Sequence, residues 1–320
     1  MLSKNLYKQN IKIKASRDAV GDALLELGRK NKDVVVLSAD LAESTRIDKF
    51  AKQFPKRFFE LGVAEQNMAG VAAGLALSGK TAFAASFGVF SPGRNWDQIR
   101  VSICYSQANV KILSTHTGLS VGADGASHQA LEDIAITRCL PNMTILVPGD
   151  YIESKKAILA AGKIKGPVYV RLSRQASPIF TTQSTSFKIG KANILTKGTD
   201  LTIVACGPSV YEALLAAKEL QKKKIKVEVI DLHTIKPLDK TTILRSVKKT
   251  KHLITVEDHQ VMGGMGSAVV EMLAENYPIP TQMVGVRDSF GESGKSTELW
   301  DKYKISFPHI IKAALNLTKK

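Results

Sequence analysis

Residues 58–80, FFELGVAEQNMAGVAAGLALSGK, read as a short strand running directly into a helix built of small residues. Glu65 falls in the first helical turn, close to the carboxyl end of the strand, and strand ends of this kind line ligand crevices. A carboxylate at a helix start also complements the helix dipole, worth about 0.3–1 kcal/mol, so position alone assigns it no chemistry. The helix itself is more informative. Ala64, Ala69, Gly70, Ala72, Ala73, Gly74 and Ala76 permit close approach of another backbone or chain, which points to an interface.

Outward from this unit the same alternation repeats. A helix is expected over 17–30, and strands over 33–38, 57–61, 80–86, 110–114, 143–147 and 168–172, separated by longer amphipathic runs. Near-continuous apolar runs at 34–37 and 110–113 suit strands covered on both faces, hence a mostly parallel sheet with helices on either side. Residues 176–188, with TTQSTS at their centre, break the rhythm and read as a linker. The alternation then resumes with strands at 201–206, 227–231, 252–256 and 281–286, a helix over 209–223 and another after Gly266. The expected fold is α/β, with one parallel-sheet domain over 1–175 and a smaller α/β domain over 189–320.

Bulk properties fit this division. With 320 residues, 44% of them apolar, the chain can bury two cores. Cys104, Cys139 and Cys206 lie far apart without a CxxC pair, so neither a zinc site nor a disulfide framework is indicated, and a reducing, cytoplasmic setting is expected. No window approaches the roughly 18 apolar residues of a membrane span. The formal charge of +16 is carried by scattered lysines without a nucleic-acid-binding signature, so a solvated basic surface is expected, with no nucleic-acid and no membrane partner. Such a field attracts phosphorylated substrates. GGMGSA at 263–268 lacks the later acidic residue of a dinucleotide fingerprint and reads as a tight turn with close helix packing.

The candidate chemistry lies in two further segments. ILSTHTGLSVGADGASHQALEDI, residues 112–134, leaves a strand, crosses a Gly-rich loop and is expected to enter a helix near His128. It delivers His116, Asp124 and His128 to one end of the sheet. Histidines near neutral pKa shuttle protons or donate to developing oxyanions, and Asp124 suits a hydroxyl, so the set fits polyol chemistry. In AASFGVFSPGRNWDQIR, residues 84–100, Phe87 and Phe90 form either an aromatic wall or ordinary core. Arg17, Ser44 and Arg174 each sit at an element end, where guanidinium groups clamp anions.

Taken together, LGVAEQNMAG, the aromatic stretch, DQIR, THTGLSVGADGASHQALEDIA, LPNMTILVP and PVYVRLSRQ resemble the pyrimidine-binding domain of transketolases. The resemblance covers nearly the whole chain and is similar to the C-terminal subunit of two-chain transketolases. It implies a separate N-terminal subunit in an α2β2 assembly, and thiamine diphosphate with Mg2+ held mainly by that partner, no metal ligand being expected here. It also implies transfer of a two-carbon ketol unit from a ketose phosphate to an aldose phosphate, in the pentose phosphate pathway. By resemblance, Glu65 hydrogen-bonds the cofactor's pyrimidine ring and promotes its imino form, while Phe87 and Phe90 stack on that ring. His116 and His128 act catalytically, with Asp124 on the sugars, and Arg17, Ser44, His116 and Arg174 bind the sugar phosphate. The family's third aromatic is unmatched near Gly93, and Ala123 replaces the usual glutamate of GEDG, as in deoxyxylulose-phosphate synthases. A subunit of such a synthase, the beta subunit of a 2-oxo-acid dehydrogenase, and a non-catalytic scaffold stay open as alternatives.

Overall fold

The computed structural model describes residues 2–318. Strand β1 (Ile13–Ala15) precedes α1 (Asp18–Lys30), β2 (Val34–Ser38), α2 (Asp48–Gln53), β3 (Phe58–Glu60), α3 (Glu65–Leu77) and β4 (Thr81–Phe87). A turn of helix, α4 (Trp96–Gln98), runs on into a π-helical segment Ile99–Tyr105, followed by β5 (Val110–Thr115), α5 (Asp133–Arg138), β6 (Thr144–Leu146), α6 (Tyr151–Ala161), β7 (Val168–Arg171) and β8 (Ala176–Pro178). The remainder forms β9 (Asn193–Thr196), β10 (Leu201–Ala205), α7 (Ser209–Lys222), β11 (Val227–Asp231), β12 (Thr234–Lys236), α8 (Lys240–Thr250), β13 (Leu253–Gln260), α9 (Met265–Asn276), β14 (Thr281–Val286), α10 (Ser296–Lys302) and α11 (Phe307–Leu317).

Two large sheets and a two-stranded β1-β8 pair result. The largest has the order β12-β6-β7-β5-β4-β2-β3, and the second β14-β13-β10-β11-β9. Within these two large sheets all pairings are parallel except those of the edge strands β12 and β9. Every residue of β2, β4, β5 and β10 is buried, which is why these strands read as continuous apolar runs and not as alternating ones.

Three elements were not expected from the sequence. The stretch 99–105 is π-helical, β9 adds an antiparallel edge, and β12, which follows β11 of the smaller sheet, crosses to pair with β6 of the larger one. The last of these couples the two halves. Val147 N donates to the His233 carbonyl at 2.8 Å, and Lys236 Nζ donates to the carbonyls of Arg138 and Leu140 at 2.9 and 2.5 Å. One apolar cluster includes Ile145 and Val147 from the first half and Val204, Ile230, Leu232 and Ile235 from the second. Within 176–188, β8 pairs antiparallel with β1, Phe180 is fully buried, and the Thr181 N–H and hydroxyl both donate to Asp150.

The GGMGSA segment packs as a close turn. The Glu257 carboxylate accepts from the Met265 and Gly266 N–H groups at 2.6 and 2.8 Å, so a carboxylate of the chain itself occupies the start of α9. A Cβ at Gly264 would lie 2.3 Å from Glu257 Oε2, and one at Gly266 2.5 Å from Thr255 Oγ1, which explains the glycines without a ligand.

Truncating the Lys236 clamp should loosen the seam between the sheets. Lys236→Ala is expected to lose about 1–2 kcal/mol in chemical denaturation, the value of charge-assisted hydrogen bonds at a half-buried site, with faster amide exchange in β6 and β12. Unchanged stability and exchange would show that β12 is held by its apolar contacts alone.

Candidate active site

The side chains singled out from the sequence converge on the carboxyl ends of β2, β4, β5 and β7. Phe87 is the last residue of β4, His116 follows β5 directly, Arg174 follows β7, and Ser44 follows β2. Parallel order puts all of these ends on one edge of the sheet.

At the centre, the His116 ring stacks on Phe87 at 3.7 Å between centroids and 25° between planes. Phe87 stacks in turn with Phe90 at 5.7 Å and 19°. His128 meets the edge of this pair, 5.6 Å from Phe90 at 72° and 6.1 Å from Phe87 at 63°. Phe87 is buried and Phe90 half-buried, so the pair forms a wall with an accessible end. His116 holds φ at 55°, a left-handed conformation that costs a non-glycine residue about 1–3 kcal/mol and is kept where surrounding structure imposes it.

The hydrogen bonds fix the state of His116. Arg17 Nη1 lies 3.1 Å from Nε2, and since a guanidinium only donates, Nε2 is the acceptor. Nδ1 therefore carries the proton and donates to Thr115 Oγ1 at 2.9 Å, which lies 3.5 Å from the Ser86 carbonyl. Burial, together with the nearby Arg17 and Arg174 guanidinium groups, pushes the His116 pKa down to about 3. A buried neutral imidazole thus sits among cations. Arg17 Nη1 also donates to the Ser44 carbonyl at 3.0 Å, while Arg17 Nε is buried and has no partner among the described residues. The Arg17 pKa is lowered, first by burial and then by Arg46 and Arg174. Arg174 Nη1 donates to the Val121 carbonyl at 2.9 Å, and its Nε lies 3.9 Å from Asp124 Oδ2 at the loop rim.

Glu65 joins this set through a residue the sequence reading passed over. Its carboxylate is 3% exposed and accepts from Arg94 Nη1 at 3.4 and 3.2 Å, and the Arg94 guanidinium lies 4.1 Å over the Phe90 ring. Asn95 Nδ2 anchors the Glu65 carbonyl at 3.1 Å. The signal for Arg94 is its spacing: four residues after Phe90, with its N–H donating to the Phe90 carbonyl, it returns over the same ring.

One expectation needs correction. No helix begins at His128; α5 starts at Asp133, because the Ala130 and Leu131 carbonyls accept from the Gly118 and Gln260 N–H groups at 2.8 and 2.9 Å and hold this stretch out of a helical run. Ser44 accepts from Arg17 Nη1 through its main-chain carbonyl, and its hydroxyl has no hydrogen bond among the described residues.

Residues 13–179 match the pattern of the transketolase pyrimidine-binding domain, and residues 190–310 that of the transketolase C-terminal domain. The chain belongs to the transketolase family. It is 47% identical over 311 residues to the putative transketolase C-terminal section of Methanocaldococcus jannaschii, covering 96% of this chain and 97% of that protein. It is 41% identical to the 6-deoxy-6-sulfo-D-fructose transketolase subunit of a Clostridium species, covering 95% of this chain and 94% of that one. A solved split-gene transketolase, described as an inactive beta4 tetramer, superimposes with a TM-score of 0.88 at 46% identity, over 95% of this chain and 99% of that one. The fold is accordingly that of two α/β transketolase domains, and the chain is a transketolase-type transferase subunit.

The family implies thiamine diphosphate and a divalent metal, and the aromatic wall can be tested for fit. Arg94 provides the test, since a planar group stacked on Phe90 and bonded to the Glu65 carboxylate makes both contacts that a bound pyrimidine ring would make. The residues present thus fit such a ring, which would take the place of the half-exposed Arg94 guanidinium. Among the described residues no group of His, Cys, Asp or Glu side chains could hold a metal ion, and no helix is long and apolar enough to cross a membrane.

The neutral state of His116 is measurable. Its ring resonances should not titrate between pH 5 and 8, because its pKa lies near 3. Below pH 6.5 the unfolded chain binds a proton at this position that the folded one refuses, so His116 makes the fold lose stability as pH falls toward 3. His116→Asn should flatten that loss. A titration midpoint above pH 6 would contradict the assigned hydrogen bonds.

Proposed function

We propose that this chain is the C-terminal subunit of a thiamine-diphosphate-dependent transketolase, moving a two-carbon ketol unit from a ketose phosphate to an aldose phosphate together with a separate N-terminal subunit. The observation that carries this reading is the meeting of Arg17 and Arg174 beside a neutral His116 and the Phe87–Phe90 wall, with Asp124 at the rim 3.9 Å from Arg174 Nε and the Arg17 Nε buried without a partner among the described residues. The half-buried Arg17 has one buried donor, Nε, without a partner among the described residues, and an unmet buried donor costs about 1–3 kcal/mol, which favours an anionic ligand.

Glu65, Phe87 and Phe90 would hold the pyrimidine end of the cofactor, the carboxyl oxygen of Glu65 holding a proton against a ring nitrogen. Thiamine diphosphate supplies the carbon nucleophile and the electron sink once bound. The diphosphate and Mg2+ would be held by the partner chain. Arg17, Ser44, His116 and Arg174 would anchor the sugar phosphate, the Ser44 carbonyl also fixing Arg17. His116 Nε2, an acceptor in this structure, and His128 would hold or move protons at the sugar oxygens near the reacting carbonyl, and Asp124 would bind a hydroxyl. Anchoring the remote phosphate spends binding energy on orientation of the reacting end.

An α2β2 assembly is supported by the outer face of α3. Gly70 and Gly74 have open space beside them, while Val63 and Leu77 are 71% and 65% exposed, a surface suited to another chain. Domains over 1–175 and 189–320 with a connecting 176–188, a cytoplasmic setting and a pentose phosphate role complete the proposal. The sulfo-sugar in a relative's name makes the anionic group, more than phosphate itself, the common feature of the substrates.

The test is transfer from xylulose 5-phosphate to ribose 5-phosphate by the chain mixed with its co-purified partner. Glu65→Ala is expected to lower turnover by about 10²–10⁴-fold while leaving the thermal midpoint near that of the parent. Arg174→Ala should raise KM for the phosphorylated sugars more than it lowers kcat. Full turnover by Glu65→Ala would refute the assignment; unfolding of that variant would assign Glu65 a structural role.

A further inference from the structure

We propose that Asp258 and Ser296, both contributed by the second half of the chain, are positioning residues that set the shape of the 116–128 loop on which the sugar-facing groups are carried. The loop lacks secondary structure apart from a 3-10 turn at Leu119–Val121, so its own backbone does not define its course. The second half defines it. Asp258, on β13 and 2% exposed, accepts from the Leu119 N–H through Oδ1 at 2.9 Å and from the Ser120 N–H through Oδ2 at 3.3 Å. A buried carboxylate requires donors, and two consecutive loop amides supply them. Ser296, the first residue of α10, donates from Oγ to the Ser120 carbonyl at 3.1 Å. The peptide groups on both sides of Ser120 are thereby held from the second half.

The close approach is written into the glycines. Gly118 holds φ at 75°, and a Cβ there would lie 2.1 Å from Asp258 Oδ2. A Cβ at Gly125, with φ at 74°, would lie 2.6 Å from Ser293 Oγ. Gln129 Nε2 extends the brace, donating to the Glu292 carbonyl at 3.0 Å. Neither Asp258 nor Ser296 is among the groups assigned to the sugar or the cofactor, and both act through the loop whose ends carry His116 and His128. A misplacement of about 1 Å in such groups costs on the order of 10²-fold in rate. The catalytic part of this inference rests on the proposed function; the structural part does not.

Asp258→Asn and Ser296→Ala would be compared with the parent by amide exchange, by NMR titration of the His116 ring, and by ketol transfer in the complete mixture with the partner. The expected result is faster exchange at Leu119 and Ser120 by roughly tenfold or more, with β4, β5 and β10 unchanged, as for local and not global opening. The His116 midpoint should rise from its value near 3, since the opened loop admits water. Transfer should lose roughly 10-fold or more in kcat, with cofactor affinity unchanged. If Asp258→Asn fails to fold, Ser296→Ala, a smaller change at the same loop, decides alone. Parent-like loop exchange and His116 titration in Ser296→Ala would overturn the proposal, as would a uniform loss of protection throughout the chain. Absence of transfer by the parent mixture would count against the proposed function and leave the exchange result to judge this one.

Discussion

A single buried guanidinium ties the two halves of the molecule to the same point. Arg171, at the end of β7, donates from Nε to Asp133 Oδ2 at 2.8 Å and from Nη2 to the carbonyls of Ala130 and Asp258 at 3.1 and 2.9 Å. Tyr169 donates to the same Asp133 oxygen at 2.6 Å. With the ion pair almost fully buried, removing one member would strand the other at a cost of about 3–5 kcal/mol. The return end of the 116–128 loop, the start of α5 and strand β13 all meet at this group. His259 completes the junction as a neutral ring, its Nδ1–H donating to the Gln260 carbonyl and its Nε2 accepting from the Ile134 N–H.

The contrast with the corner of Arg17 and Arg174 is one of charge balance. At the seam, three buried carboxylates have an opposite charge or backbone donors: Asp133 with Arg171, Asp258 with loop amides, and Glu257 with the first turn of α9. A few ångströms out along the strand ends, Arg17 and Arg174 crowd a neutral imidazole, and each further cation lowers the proton affinity of its neighbours. Asp258 and Glu257 are bonded within the chain, whereas Arg17 keeps a buried Nε without a partner among the described residues. The lysine-rich exterior adds a long-range attraction for such ligands, one that salt screens beyond about 10 Å.

Much of this was legible in the sequence because burial on both faces writes itself as apolar runs. Strands β2, β4, β5, β10 and β11 fall within a residue or so of where those runs lie. Phe87, at the end of β4, and His116, just after β5, meet because parallel order places these strand ends side by side. What was not legible depends on distant partners. Strand β12 pairs across to β6, which no local periodicity records, and the π-helical turn after Trp96 has no simple spacing signal. Arg94 was passed over because a surface arginine has no distinctive pattern until Glu65 is known to lie under it. Asp258 lies 130 residues or more from the loop it holds, and only the fold brings them together.

The arrangement places the aromatic wall, the carboxylate and the anion clamp on one chain, with no group of acidic or imidazole side chains among the described residues able to hold a metal. Calorimetric titration of thiamine diphosphate with magnesium, into this chain alone and into the chain with its co-purified partner, tests that division most directly. Tight, magnesium-dependent binding only in the mixture is the expected result. Equally tight binding by the isolated chain would contradict a cofactor site shared between two subunits.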